Sequence, residues 1–172
     1  GLPDFVQTYF HPAYFDFVRN CSHLPTRFFT RNPAADSVKW DFGDPESGMD
    51  NTAIGANVNH LFSDTGTFGV WSVVWSDSTI DSFYREIVIV APPNLNGVST
   101  SFNGCEGDVF DVDLPKTNIY TEVFWLDSSQ SFSRSFDTTV DLPFVLWNFC
   151  DTVYDTVRVK VDAYFEIDLG SD

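Results

Sequence analysis

The sequence predicts an all-β protein built as two tandem β-sandwich domains, and three observations carry that expectation. The first is composition: of the 25 acidic residues in the 172-residue chain, 20 are Asp and 5 are Glu. Asp, Asn, Ser, Thr, Gly and Pro prefer turns and strand ends to helix interiors, and helix formers are scarce, with a single Met. The second is periodicity. No stretch of about twelve residues carries a capped apolar stripe at helical spacing. Alternating segments recur instead roughly every ten residues, the rhythm of sandwich strands. The third is the punctuation Ala91-Pro92-Pro93 near mid-chain.

In chain order the expected strands are 14–18, 27–30, 38–42, 68–74, 83–90, 110–114, 122–126, 144–149 and 153–161. Within 38–42, Trp40 and Phe42 lie two apart and share a face, so both can enter a core. Within 68–74, Phe68 and Val70 point inward. The run Ile87-Val88-Ile89-Val90 closes the first set at the proline pair, which removes two ladder donors and favours a stiff linker. The polar stretch 94–97 then leads to new strands. Within 153–161, Val153, Val157, Val159 and Val161 claim the core, leaving Thr152, Tyr154, Thr156, Arg158 and Lys160 to solvent. The expected organisation is a linker or preceding repeat over 1–12, sandwiches over 13–91 and 92–166, and the start of a next repeat or linker over 167–172.

Composition also excludes. A net charge of −16 repels phosphate backbones, so nucleic acid is not an expected partner. Apolar residues make up 43% and aromatics 17%, with 18 Phe, which is core material rather than a disordered acidic tail. No apolar run approaches the length of a membrane-spanning helix, so no membrane insertion is expected. The opening GLPDFVQTYF lacks the basic and apolar regions of a signal peptide. The three His, at 11, 23 and 60, stand outside any E-x-x-H, H-x-H or Cys-x-x-Cys spacing, and no G-x-S-x-G or phosphate loop occurs. With so many Asp, carboxylate pairs are unavoidable and carry no catalytic signal. The chain does not read as an enzyme, and no cofactor is expected.

The sharpest motif is Trp40-Asp41-Phe42-Gly43-Asp44, where Gly43 lets the backbone turn and Asp44-Pro45 opens a turn. Asn59-His60-Leu61-Phe62 follows, then Asp64-Thr65-Gly66-Thr67-Phe68-Gly69-Val70, with Gly66 in a tight turn. W-D-F-G-D, then N-x-H-x-F, then G-T-F-x-V, in that order, resembles the polycystic kidney disease (PKD) repeat over about residues 13 to 91. Two departures stand out: Ser72 where the family carries an apolar residue, and a longer, more acidic loop over 44–52. In the second half, Cys105-Glu106-Gly107-Asp108, Trp125-Leu126-Asp127 and Cys150-Asp151-Thr152-Val153 resemble the Ig-like repeats that accompany PKD repeats in large Bacteroidota surface proteins. Many of those are gliding-motility or adhesion proteins exported by the type IX system. The resemblance implies an extracellular array of sandwich spacers, PKD-like then Ig-like.

Cysteines fit an oxidising compartment in part. Cys105 and Cys150 flank the second domain's core strands, and a bridge between them would stabilise by about 4 kcal/mol in the chain-entropy model. By the Ig resemblance Trp125 would pack on that bridge; two buried thiols are the alternative. Cys21 is then expected to be a free, buried thiol, because the region where related PKD repeats carry its partner holds Ser78 and Thr79.

Three surface readings remain. Asp41, Asp44, Glu46 and Asp50, with Asn51, gather oxygen ligands suited to calcium, but the spacing is not that of an EF-hand, and a solvated acidic loop explains it as well. If Phe68 and Val70 face inward, Trp71, Val73 and Trp75 face outward; likewise Val145, Trp147 and Phe149 if Cys150, Phe144 and Leu146 point in. Exposed aromatics can stack on sugars or bury a partner, unless a β-bulge flips the register and takes them into the core. Finally, the resemblance invites a search for the Asp-Ser/Thr tripeptides that carry O-glycans in Bacteroidota. They place candidate sites at Ser37, Ser78, Thr138, Thr152 and Thr156, though Asp-Thr-Val is also how a strand begins.

The functional expectation is a non-enzymatic segment of a large bacterial cell-surface protein, a spacer or stalk with a role in adhesion or gliding. Its partners would be neighbouring repeats of the same chain, a surface polysaccharide or another surface protein. The alternatives are a carbohydrate-binding accessory module of a secreted hydrolase and a subunit of a self-assembling surface filament.

Overall fold

The structure, a computed structural model, describes residues 11–32, 35–77, 79–112, 114, 118–126 and 133–163. The expected terminal segments 1–12 and 167–172 fall outside these residues, apart from His11 and Pro12. The chain is all-β and divides into two compact units, Gly1–Ala91 and Pro92–Asp172. No helix among the described residues is long and apolar enough to cross a membrane.

The described residues of the first unit form β1 (Phe15–Val18), β2 (Thr26–Thr30), β3 (Ser37–Asp41), β4 (Thr52–Ile54), β5 (Asn57–His60), β6 (Gly66–Ser76) and β7 (Thr79–Ile89). They form a three-stranded sheet, β1-β2-β5, and a four-stranded sheet, β4-β3-β6-β7, with antiparallel neighbours throughout. Between them lie Phe15 and Phe28 from one sheet and Val38, Trp40, Val70, Val74, Ile87 and Ile89 from the other, all at most 2% exposed. The period-two patterning put these on one face, and burial of that face drives the packing. Trp40 brings its polar edge inside, and its Nε1–H donates to the Gly55 carbonyl at 2.8 Å, the partner a buried indole needs. Ser72, the departure from the PKD pattern, is fully buried and donates its hydroxyl to the Ala13 carbonyl at 2.5 Å. That bond satisfies the hydroxyl and ties β6 to the segment entering β1.

The second unit has β8 (Ser101–Cys105), β9 (Val109–Asp111), β10 (Glu122–Trp125), β11 (Ser133–Ser135), β12 (Val140–Trp147) and β13 (Thr152–Asp162). A four-stranded sheet runs β10-β12-β13-β8, parallel only between β13 and β8, and β11 pairs β9. Its core gathers Phe110, Val112, Leu114, Leu142, Phe144, Leu146, Val157 and Val159. The expected strand 144–149 begins earlier, at Val140, and runs through Pro143. The Pro143 carbonyl accepts from Leu126 N–H, just past the end of β10. Its missing donor therefore points where β10 has already stopped, a place where proline is tolerated.

Candidate functional sites

The W-D-F-G-D and N-x-H-x-F motifs meet around one carboxylate. After Phe42, Gly43 adopts φ 65°, and a Cβ there would run into the Gly69 carbonyl oxygen. Only glycine allows that approach of the β3 end to β6. The chain then delivers Asp44 inward, 1% exposed, opposite His60 at the end of β5, 3% exposed. His60 Nε2 lies 3.0 Å from Asp44 Oδ2, and Ser63 donates its N–H to the same oxygen at 2.9 Å and its hydroxyl to Oδ1. Because a carboxylate only accepts, the His60 proton sits on Nε2. The imidazole stacks on Phe42 at 4.2 Å and meets the edge of Phe62 at 4.5 Å.

Burial pushes the Asp44 carboxyl up, but the Ser63 hydroxyl and N–H, with His60, outweigh it and hold Asp44 below the ordinary carboxylate value. An Asp, a His and a Ser in contact invite comparison with a nucleophilic triad. Here the serine bonds to the aspartate rather than to the histidine, and the Asp–His pair is sealed from solvent. The arrangement is a structural pin and cannot activate a nucleophile.

The acidic loop expected as a calcium candidate forms a 3-10 segment, Pro45–Asn51, entered at Pro45 and kinked at Gly48 with φ 64°. Asn51 organises it: the Asp44 N–H donates to Asn51 Oδ1 at 2.6 Å, and Asn51 Nδ2 donates to Asp41 Oδ1 at 3.2 Å. Asp44 faces the core, while Asp41, Glu46 and Asp50 are exposed. Among the described residues no three His, Cys, Asp or Glu side chains gather into a metal-holding group.

The aromatic faces are resolved by register. Strands β6 and β7 pair without a bulge from Gly66↔Ile89 to Ser76↔Thr79. Val70, Ser72 and Val74 therefore point inward and Trp71 outward, 45% exposed, with Trp75 half-buried. Across the outer face Thr52, Asp41, Trp71 and Tyr84 form one row on four neighbouring strands. Tyr84 contacts Trp71 at 5.0 Å and lies over Gly69, where any Cβ would collide with its ring. Sequence reading missed Tyr84, although its alternation with the half-buried Phe83 carries the signal. In the second unit Trp147 and Phe149 are exposed, at 47% and 53%, whereas Val145, expected outside, is 8% exposed. Val145 alternates with the core residues Phe144 and Leu146, and its register neighbours on the flanking strands are Phe124 and Tyr154.

The cysteine expectation is corrected. Cys105 is an exposed free thiol, and Cys21 and Cys150 are both disulfide-bonded. The expected Cys105–Cys150 bridge fails on register. Cys105 pairs with Asp162 at the far end of β13, while Cys150 precedes the first residue of that strand. Eleven strand residues separate the two positions, about 36 Å at 3.3 Å per residue, against the roughly 6 Å a disulfide spans. Cys21 is buried, as expected, but not free. It sits in a parallel bridge with Val90, fixed by Ser22 N–H to Val90 O at 3.0 Å and Val90 N–H to Asn20 O at 2.9 Å.

Of the candidate hydroxyls, Ser37, Thr138 and Thr156 are exposed, Thr152 is half-buried, and Ser78 lies outside the described residues. No known protein family matches the chain, and no curated protein matches it in sequence.

Proposed function

We propose that the chain is a non-enzymatic, extracellular pair of β-sandwiches from a large cell-surface protein, acting as spacer or stalk and adhering through exposed sheet faces. One observation carries the reading: the Asp44–His60 contact that joins the PKD-like motifs is a buried pin, whereas the aromatic side chains that could meet a partner stand outward on regular sheets. Chemistry is locked inside and recognition surface is presented outside. The disulfide-bonded state of Cys21 and Cys150 supports an oxidising compartment. The resemblance to PKD and Ig-like repeats of Bacteroidota surface proteins supplies the larger context: neighbouring repeats as partners in the same chain, and type IX export.

In that context O-glycans on the Asp-Ser/Thr tripeptides are part of the reading. Thr156 is the best placed, since it lies in the middle of β13 and is exposed, so strand initiation does not account for its tripeptide. The exposed Trp71 row also favours a second reading, a carbohydrate-binding accessory module of a secreted hydrolase. Antibodies raised against the segment test the main proposal on cells of the native source. Labelling of intact cells is expected; labelling only after permeabilisation contradicts it.

A further inference from the structure

The outer face of the β4-β3-β6-β7 sheet holds a shallow cleft of about 270 Å3, lined by Lys39, Asp41, Thr52, Trp71 and Val73. Its parts are held ready. Trp71 is braced by Tyr84, which is seated on Gly69 and hydrogen-bonds Glu86 Oε1 at 3.4 Å. Asp41 Oδ1 accepts from Gly43 N–H at 3.0 Å and from Asn51, which fixes the carboxylate. Its Oδ2 accepts no hydrogen bond among the described residues, and Lys39 there has no ion-pair partner.

This chemistry selects one class of ligand. Lys39 and Asp41 lie two apart on the same face of β3, so the cleft carries one ammonium and one carboxylate. A cation meets Lys39, and an anion meets Asp41 and a chain of net charge −16. A protein partner would need roughly 800 Å2 of matching surface, not a depression with polar walls. What fits is uncharged, has one apolar face to lie on an indole, and carries hydroxyls that both donate to a carboxylate and accept from an ammonium and a threonine hydroxyl. We propose that this cleft binds one pyranose ring of a neutral saccharide, stacked on Trp71 and hydrogen-bonded by Asp41, Lys39 and Thr52. Pockets that enclose drug-sized ligands run about 300–1,000 Å3, so this one holds a single ring while the rest of the saccharide extends outside.

The inference rests on the reading of the segment as a surface-binding module, yet its test is separate, because it uses purified protein rather than cells. The full chain, with its Trp side chains 15N-labelled, is titrated with cellohexaose, chitohexaose, xylohexaose and mannohexaose, and with charged oligogalacturonate and chitosan hexamers. At least one neutral hexamer is expected to shift the Trp71 indole resonance saturably, with a Kd on the order of 1 mM for a one-ring contact. Binding to the variants is read on the saccharide's own proton resonances by saturation transfer: Trp71→Ala and, as an independent variant on an exposed side chain, Lys39→Gln should each weaken it, the first at least tenfold, while Trp147→Ala leaves it unchanged. Three results overturn the proposal: no saturable shift from any neutral hexamer at about ten times that concentration, binding that survives Trp71→Ala, or self-association that Trp71→Ala abolishes.

Discussion

His60 and Asp44, sixteen positions apart, form a hydrogen bond of 3.0 Å with both side chains 1% exposed. The bond closes the first sandwich at the point where β5 ends and the acidic 3-10 segment begins. It explains why two separated motifs occur together: one delivers the carboxylate, the other the imidazole and, one residue past Phe62, the Ser63 donors.

Asp44→Asn should destabilise the first unit by about 2 kcal/mol at neutral pH, because three charge-assisted donors lose their anion. The pH dependence follows from the sign of the shift. Asp44 titrates lower folded than its ordinary value of 3.8. Its contribution is therefore complete above 3.8 and is lost as pH falls through the lower folded value. Denaturant unfolding between pH 2 and pH 7, roughly the span over which a carboxylate changes charge, should show wild type losing this increment at the acid end. The Asn variant should show a flatter profile, and equal acid sensitivity in the two proteins refutes the assignment.

Gly43 and Gly48 both have positive φ, 65° and 64°. A Cβ at Gly48 meets nothing within 4 Å, whereas one at Gly43 strikes the Gly69 backbone. Gly48, with ψ −122°, lies in the mirror-β region that side chains avoid, so Gly48→Ala should cost about 1–3 kcal/mol from backbone strain alone. Gly43→Ala should cost a further 1–3 kcal/mol for the displaced strand. Equal losses in denaturant melts would show that the close approach of β3 and β6 is not tight.

Cys105→Ser should leave stability within about 0.5 kcal/mol of wild type, as for an exposed side chain outside any core. Reduction of the wild-type protein should lower stability by about 2–5 kcal/mol. A thermal melt of both proteins with and without reductant separates the two effects; insensitivity to reductant contradicts the bonded state of Cys21 and Cys150.

Much of the fold was legible because it rests on burial at period two. Trp40 with Phe42, Val70 with Val74, and the valines of β13 declare their faces in any register that buries them. The strands that escaped notice are short and poor in apolar residues: β4 and β11 have three residues, β5 (Asn-Val-Asn-His) four and β8 (Ser-Phe-Asn-Gly-Cys) five, too little for alternation to register, and the expected 110–114 is β9 over Val109–Asp111. Pro143 hid the start of β12 because its tolerance depends on where β10 stops, a fact of tertiary structure. Val145 is a similar case: it alternates with core residues, yet it lies between Phe124 and Tyr154 on the two flanking strands and is 8% exposed, which alternation along its own strand does not reveal.

At the candidate sites the residue types were visible and their pairings were not. Asp44, His60 and Gly43 were all singled out, yet nothing local says that the carboxylate turns inward to the imidazole rather than outward to calcium. Three cysteines allow three single-bridge pairings, and spacing does not choose among them. The parallel register of β8 on β13 removes one of them. The Trp71 row needed the unbroken β6–β7 ladder before a face could be assigned.

A segment exposed to an oxidising exterior carries a free thiol at Cys105 that outside reagents can reach. Intact cells of the native source are treated with a membrane-impermeant maleimide without reductant, and the cysteine peptides are mapped by mass spectrometry. Labelling at Cys105 is expected before lysis, with Cys21 and Cys150 protected until reduction. Labelling of Cys105 only after lysis, or of all three cysteines without reduction, contradicts it.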